Sequence, residues 1–72
     1  MDIRWEYKAW GIWYGYRNGV HVLNVFGSDG NWQWLAFWNG YIVKRDKLYK
    51  DKALAQKAAI RGLKWMMKED KT

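Results

Sequence analysis

Apolar and aromatic side chains dominate residues 10–47 and are interrupted by polar turn signals. Asn18-Gly19 and Asn39-Gly40 each stand between β-forming runs, and Asn-Gly suits a two-residue type I′ turn because both central residues take positive φ. A third turn falls at residues 27–31. The pattern predicts an antiparallel meander of four strands, at roughly residues 10–17, 20–26, 32–38 and 41–47, with residues 3–8 extending the first strand or running beside it.

The pattern becomes helical after Asp51, which suits an N-cap, and the helix is expected to run to about Lys68. At 100° per residue, one arc is apolar and the opposite side is basic. The apolar arc contains Leu54, Ala55, Ala58, Ala59, Gly62, Leu63, Trp65 and Met66. Because Gly62 costs about 1 kcal/mol relative to Ala in a helix interior, it indicates close packing on a sheet. We predict one α+β domain over residues 1–72, βββα or ββββα, with the sheet at about 3–47 and the helix at about 51–68 packed on one face.

The two-residue turns also predict which side chains share a side of the sheet. The pairs expected on one side are Trp38 with Tyr41, Ala36 with Val43, Trp34 with Arg45 and Trp32 with Lys47. The same count at the first turn pairs Tyr16 with His21, Tyr14 with Leu23, Ile12 with Val25 and Arg17 with Val20. Both sides of the sheet are thus largely apolar, and one helix can cover only one of them. We expect the side carrying Trp32 and Trp34 to be the open one.

Charged and aromatic residues are distributed differently along the chain. Thirteen Lys and Arg against seven Asp and Glu give +6, and the whole excess lies after Gly40, where ten cations accompany four acids. Eleven of the aromatic residues lie before that point. A chain that is 50% hydrophobic and 19% aromatic is not typical of disorder. The sequence therefore predicts an aromatic sheet followed by a basic strand and a basic helix.

Few residues suit catalysis or metal binding. With no Cys and a single His, the chain can form neither a thiolate site nor a multi-histidine site. Ser28 and Thr72 stand in turn or tail positions, and no acid pair is placed for acid–base chemistry. The turn at residues 27–31 lacks the Gly-Lys-Ser/Thr of a phosphate loop. We expect a non-enzymatic protein without cofactor or metal, in which His21 packs beside Tyr16 in a strand.

The first eight residues carry charges where a signal peptide needs an apolar run. No stretch reaches the roughly 18 apolar residues that a membrane span requires. We therefore expect a cytoplasmic protein, in the host cytoplasm if phage-encoded, with no membrane partner.

Two groups of residues are candidates for binding. Trp32 and Trp34, opposite Arg45 and Lys47, would form an aromatic and cationic platform of the kind that holds bases and backbone. The alternative is structural cross-strand packing. The basic run would contact phosphates or an acidic host protein, or else form a solvated face. The full set of candidates is Trp32, Trp34, Lys44, Arg45, Lys47, Lys50, Lys52, Lys57, Arg61, Lys64 and Lys68.

The stretch from Trp32 to Trp65 combines a tryptophan-bearing strand, the Asn39-Gly40 turn, Tyr49 and an alanine-rich helix. It resembles small sheet-plus-helix proteins of phages and mobile elements, and is similar to the arm-type DNA-binding domain of tyrosine integrases and the AP2 domain. The resemblance covers about half of the chain. It implies a three-stranded sheet that enters the DNA major groove. The DNA-facing residues that it implies are Trp32, Trp34, Arg45 and Lys47.

Three functions stay open at this point. The leading expectation is a small basic module that binds nucleic acid, DNA above all, through the aromatic and cationic sheet face and the basic helix. The alternative is a phage-encoded inhibitor that binds host machinery, of the anti-CRISPR or transcription-inhibitor type, because such proteins share this size. The third is a homodimer formed through the uncovered aromatic side of the sheet.

Overall fold

The computed structural model describes residues 2–69, which form one antiparallel sheet and a C-terminal helix. The elements are β1 (Arg4–Ala9), β2 (Ile12–Arg17), β3 (Val20–Ser28), β4 (Asn31–Trp38), β5 (Tyr41–Lys44) and α1 (Lys52–Glu69). The strands lie in the sheet in chain order, so each one pairs with its neighbours in sequence. The predicted α+β class and the antiparallel meander are confirmed.

The predicted number of four strands is wrong, because residues 4–9 form a fifth strand. Trp10 and Gly11 both take positive φ, 55° and 74°, and reverse the chain as tightly as an Asn-Gly pair does. Bulky residues rarely adopt this conformation, so Trp10 carries no turn signal that the sequence could show. β1 then pairs with β2, with one register shift between Tyr7 and Ala9.

Both Asn-Gly turns form where the sequence predicts them, at Asn18-Gly19 and Asn39-Gly40. All four residues of these turns take positive φ, between 48° and 80°. The predicted pairs confirmed beside the second turn are Trp38 with Tyr41 and Ala36 with Val43. Turn chemistry therefore sets the β4–β5 register.

The register between β2 and β3 follows the prediction only next to the turn. The pairs that form as predicted are Arg17 with Val20 and Tyr16 with His21. A β-bulge beside Tyr16 shifts every later pair by one residue, so Tyr14 faces Asn24 rather than Leu23. The extra residue lets both Val22 and Leu23 enter the core.

The chain leaves the sheet after Lys44, before the predicted strand end at residue 47. It returns at Tyr49, whose N–H donates to the Trp32 carbonyl at 2.8 Å, while the Trp32 N–H donates to the Tyr49 carbonyl at 3.0 Å. This bridge occupies the place beside β4 that a longer β5 would fill. The predicted pairs that it overturns are Trp34 with Arg45 and Trp32 with Lys47.

α1 packs on β3 and β4. Asp51 caps it as predicted, because the Leu54 N–H donates to Oδ1 of Asp51 at 2.9 Å. The buried residues of α1 are Ala55, Ala58, Ala59, Leu63 and Met66. A Cβ at Gly62 would lie 2.3 Å from Cη2 of Trp34, so the helix reaches this distance from the sheet only with glycine at that position. The predicted packing reason for Gly62 is therefore confirmed.

Within residues 2–69, no helix combines the length and the apolar character needed to cross a membrane.

Candidate nucleic-acid interface

The helix covers the side of the sheet that we expected to be open. Trp34 is 3% exposed and belongs to the core, and Trp32 is half-buried against it. A large aromatic ring beneath the small residues of α1 removes a large apolar area from water. The prediction that Trp32 and Trp34 form an open platform is therefore wrong. The DNA-facing position that the resemblance implied for Trp34 lies under the helix.

The opposite side of the sheet, which we call the open face, has no layer over it within residues 2–69. It carries Ile12, Tyr14, Tyr16, His21, Asn24, Phe26, Leu35, Phe37 and Ile42. Tyr14 stacks on His21 with ring centroids 4.0 Å apart, and His21 lies 5.7 Å from Tyr16 and 5.2 Å from Phe37. Nε2 of His21 lies 2.5 Å from Oδ1 of Asn24, so Nε2 carries the donated hydrogen. An uncovered aromatic face therefore exists, but other residues form it.

Two cations on the open face, Arg4 and Lys8, share the carboxylate of Glu6. Nη1 of Arg4 lies 2.8 Å from one carboxylate oxygen of Glu6, and Nζ of Lys8 lies 2.5 Å from the other. Both cations also lie over the ring of Tyr16, at 4.7 and 5.7 Å from its centroid. The hydrogen bond from Lys8, followed by the one from Arg4, lowers the pKa of Glu6, and the bond to Glu6 raises the pKa of Lys8.

A cavity of about 450 Å³ lies between β5 and α1, and we call it the β5–α1 cavity. Arg45 lines it from the segment that follows β5, and Arg61 lines it from the third turn of α1. Trp34 and Tyr49 contribute aromatic wall. Lys44 borders the cavity as well, although its pairing with Leu35 places its side chain on the open face. The cavity thus combines apolar walls with guanidinium groups supplied by two separate elements.

The described part of the chain supplies no counter-ion to the cations of the β5–α1 cavity. Within residues 2–69, no carboxylate forms an ion pair with Lys44, Arg45 or Arg61. Guanidinium groups are strong donors that suit the paired oxygens of phosphate or carboxylate. The site can therefore accept an anion without first breaking an existing ion pair.

Trp34 brings a buried donor to the wall of this cavity. Its indole Nε1 is the one buried side-chain nitrogen or oxygen among residues 2–69 that has no hydrogen-bond partner. Leaving such a donor unpaired costs about 1–3 kcal/mol. The apolar burial of the Trp34 ring offsets that cost.

The other predicted binding residues do not line the cavity. Lys47 and Lys50 lie exposed in the connection before α1, and Nζ of Lys47 lies 5.1 Å from the centroid of Tyr49. Lys52 is half-buried, with Nζ 3.8 Å from the centroid of Trp13, so it packs on the sheet. The exposed cations on the outer side of α1 are Lys57, Lys64 and Lys68.

Trp65 is the site residue that the sequence pattern assigned wrongly. It belongs to the predicted apolar arc, yet it is 58% exposed and lines the β5–α1 cavity. Trp65 follows Arg61 by four residues, which places both side chains on the same helix face. An aromatic residue at the edge of the arc, one turn after a cation, is the signal that could have identified it.

No known protein family, characterised protein or solved structure matches this chain. The resemblance to integrase arm-type and AP2 domains stays a prediction. Among residues 2–69, no three His, Cys, Asp or Glu side chains are grouped so that they could hold a metal ion.

Proposed function

We propose that the protein binds nucleic acid through its basic side. This surface consists of Arg45, Lys47, Lys50, Lys57, Arg61, Lys64 and Lys68. The proposal rests on one observation: Arg45 and Arg61 meet at one cavity, beside the exposed ring of Trp65, and no carboxylate of residues 2–69 pairs with either of them. Cations that hold backbone beside an aromatic ring that stacks on bases are typical of nucleic-acid binding sites.

The helix extends this surface as a row of cations. Lys57, Arg61, Lys64 and Lys68 are all exposed and follow one another at spacings of four, three and four residues. The row is about 16 Å long, a length over which one strand of a DNA duplex carries roughly five phosphates along the duplex axis. Like charges at these spacings destabilise a helix by about 0.2–0.5 kcal/mol per pair. A bound polyanion would remove that repulsion and release its own counter-ions.

Titration of fluorescein-labelled oligonucleotides, single-stranded and duplex, tests the proposal. Fluorescence anisotropy at several salt concentrations should show binding that weakens linearly in log Kd against log salt, because each neutralised phosphate releases counter-ions. Absence of binding by either oligonucleotide at about 50 mM salt and micromolar protein would overturn the proposal.

Two double variants distinguish binding through the basic side from binding driven by net charge alone. The double variant Lys57→Gln with Lys64→Gln should lower the slope of log Kd against log salt by about 1.4–1.8, since two phosphate contacts are lost. Arg4→Gln with Lys8→Gln removes the same charge from the open face and should leave the slope nearly unchanged. Equal slopes in the two variants would show that net charge alone drives binding.

The open face favours a second candidate, binding of a protein partner as an inhibitor or as a homodimer. The observation is a largely aromatic and aliphatic sheet surface that no described residue covers and on which Ile42 is 64% exposed. Uncovered apolar surfaces of this kind mark interaction sites.

Light scattering over a range of concentrations, and capture from nuclease-treated lysate, test this candidate with Ile42→Lys as the disrupting variant. A dimer mass or a nuclease-resistant partner that is lost in Ile42→Lys, but kept in Lys64→Ala, supports it. A strict monomer that retains no partner after nuclease treatment removes it.

A further inference from the structure

We propose that the β5–α1 cavity binds one unpaired nucleotide of a single strand, with the phosphate held between Arg45 and Arg61 and the base stacked on Trp65. This inference rests on the proposed nucleic-acid function and names the form of nucleic acid that the site selects. Its consequence is a preference for single strands, or for unpaired positions, over continuous duplex.

The size and walls of the cavity suit one nucleotide. At about 450 Å³, the cavity falls in the size range of small-ligand sites, roughly 300–1,000 Å³. Its apolar wall includes Trp34, Val43 and Tyr49, whereas charge enters from Arg45 and Arg61. A nucleotide has the same division, with a flat apolar ring at one end and an anion at the other.

The phosphate position is indicated by the two arginines. Arg45 and Arg61 belong to different elements and face the same cavity, so a single anion placed between them can accept from both guanidinium groups. No carboxylate within residues 2–69 occupies that position. The outer helix lysines lack this arrangement, because they project from one element and do not line the β5–α1 cavity.

The unpaired donor of Trp34 is independent support for a polar ligand. Nε1 of Trp34 is buried, has no partner among residues 2–69 and belongs to a side chain of the cavity wall. An acceptor atom of a bound nucleotide that reached this donor would give it a partner. A purely apolar occupant would leave that donor unpaired.

The position of Trp65 indicates stacking on an unpaired base. It lines the β5–α1 cavity and also a second cavity of about 310 Å³ beside Trp38 and Met66, so its ring separates the two spaces. A base within a duplex has both faces covered by its neighbours, whereas an unpaired base can place one face on an indole.

Anisotropy titrations of Trp65→Leu test the stacking step, with labelled single-stranded oligothymidine and a hairpin duplex of equal phosphate number. Single-strand affinity should fall by about 5- to 150-fold, the range that loss of one stacked base gives, while duplex affinity should change less than about twofold. Trp10→Leu is the matched control, because Trp10 is 93% exposed at the β1–β2 turn and lines neither cavity. It should change neither affinity.

Arg61→Gln and Lys64→Gln form the matched pair for the phosphate position, since both remove one positive charge from α1. Arg61→Gln should weaken single-strand binding at least about 5-fold more than Lys64→Gln does, because it also removes a charge-assisted hydrogen bond to the phosphate. In 15N-labelled protein, added pentathymidine should shift the assigned indole N–H signal of Trp34 and leave that of Trp10 in place.

The outcomes separate this inference from the proposed function. The nucleotide site is overturned, and nucleic-acid binding left intact, if two results occur together. Single-strand affinity would fall equally in Arg61→Gln and Lys64→Gln, and Trp65→Leu would have the same affinity as Trp10→Leu. An unmoved Trp34 indole signal also overturns it. Failure of the unmodified protein to bind any oligonucleotide overturns both proposals. Circular dichroism spectra of the Trp65→Leu and Arg61→Gln variants control for folding, because both side chains are exposed.

Discussion

The open face and the β5–α1 cavity both place cations beside aromatic rings. They differ in whether a described carboxylate forms ion pairs with those cations. On the open face, Arg4 and Lys8 lie over Tyr16 and share the carboxylate of Glu6. At the cavity, no carboxylate within residues 2–69 pairs with Arg45 or Arg61. The contact between a cation and an aromatic ring is thus common to both regions, and they differ in whether a described carboxylate pairs with the cation.

The two regions also differ in how their rings are packed. Trp34, in the cavity wall, is buried between α1 and the sheet, whereas Tyr14 and its neighbours on the open face are half-buried by contact with one another. Burial stabilises in proportion to the apolar area removed from water. The covered side should therefore supply most of the stability, and the open face can change with little effect on the fold.

Replacing Trp34 and Tyr14 by alanine tests this difference and gives the largest expected effect. Trp34→Ala should lower the free energy of unfolding by about 3–5 kcal/mol, since it removes a buried ring and leaves a cavity. Tyr14→Ala should cost about 1–2 kcal/mol, because its ring is partly solvated in the native state. Urea denaturation followed by circular dichroism measures both. Equal losses would show that the open face is covered in solution, by a second copy of the chain for example.

Gly62→Ala examines the contact between α1 and the cavity wall. The added Cβ would lie 2.3 Å from Cη2 and 2.7 Å from Cζ3 of Trp34, a ring that the core holds in place. Overpacking of this kind costs about 1–3 kcal/mol, and alanine regains about 1 kcal/mol of helix propensity. We expect a net loss of up to about 2 kcal/mol in urea denaturation. Lys64→Ala, on the exposed side of the same helix, should stay within about 0.5 kcal/mol. A stabilised Gly62→Ala variant would contradict the close approach.

The parts of the fold that follow local rules could be predicted from the sequence. The two Asn-Gly turns, the Asp51 cap and the need for a small residue at Gly62 depend on a few neighbouring residues with strong preferences. The turn at Trp10 could not be predicted, because its positive φ is imposed by the pairing of β1 with β2 and opposes the preference of the residue. The bulge beside Tyr16 has the same origin, since burying both Val22 and Leu23 is a tertiary requirement.

The candidate site could be predicted in its charges but not in its geometry. Lys44, Arg45 and Arg61 were identified as cations, and exposure of charged side chains is a general rule. The sequence does not show which side of the sheet the helix covers, because the side with Trp34 and the side with Tyr14 carry similar proportions of apolar residues. That choice depends on the packing of the whole fold. The early end of β5 then moved Arg45 from the sheet to the cavity edge.

Asp51→Ala tests how firmly α1 holds its place over the sheet. Oδ1 of Asp51 accepts the Leu54 N–H at 2.9 Å, so the variant should lose about 1 kcal/mol of unfolding free energy. Asp46→Ala removes the same charge from an exposed position in the preceding connection and should change stability by less than about 0.5 kcal/mol. Tyr14→Ala measured in the Asp51→Ala background should show an additive loss, because the cap and the open face share no contacts. A non-additive result would mean that the two sides of the sheet are coupled.

The ion pairs at Glu6 give the open face a defined pH dependence. The pKa of Glu6 is lowered in the folded state, so its stabilising contribution is present above the pKa of an unfolded Glu and is lost as the pH falls through the folded value. The pKa of Lys8 is raised, so its contribution is present below the pKa of an unfolded Lys and is lost as the pH rises through the folded value. Both groups are exposed, and the effect on stability is small.

Lys8→Met gives the smallest expected effect and addresses neutralisation on the open face directly. Because the hydrogen bond from Lys8 is the largest cause of the lowered pKa of Glu6, the variant should raise that pKa toward its usual value. The chemical shift of the Glu6 carboxyl carbon, followed by NMR through an acid titration, measures it. Lys44→Met removes the same charge without a contact to Glu6 and should leave the pKa unchanged. If Lys8→Met also leaves it unchanged, Glu6 does not neutralise these cations in solution, and the two regions would then differ only in packing.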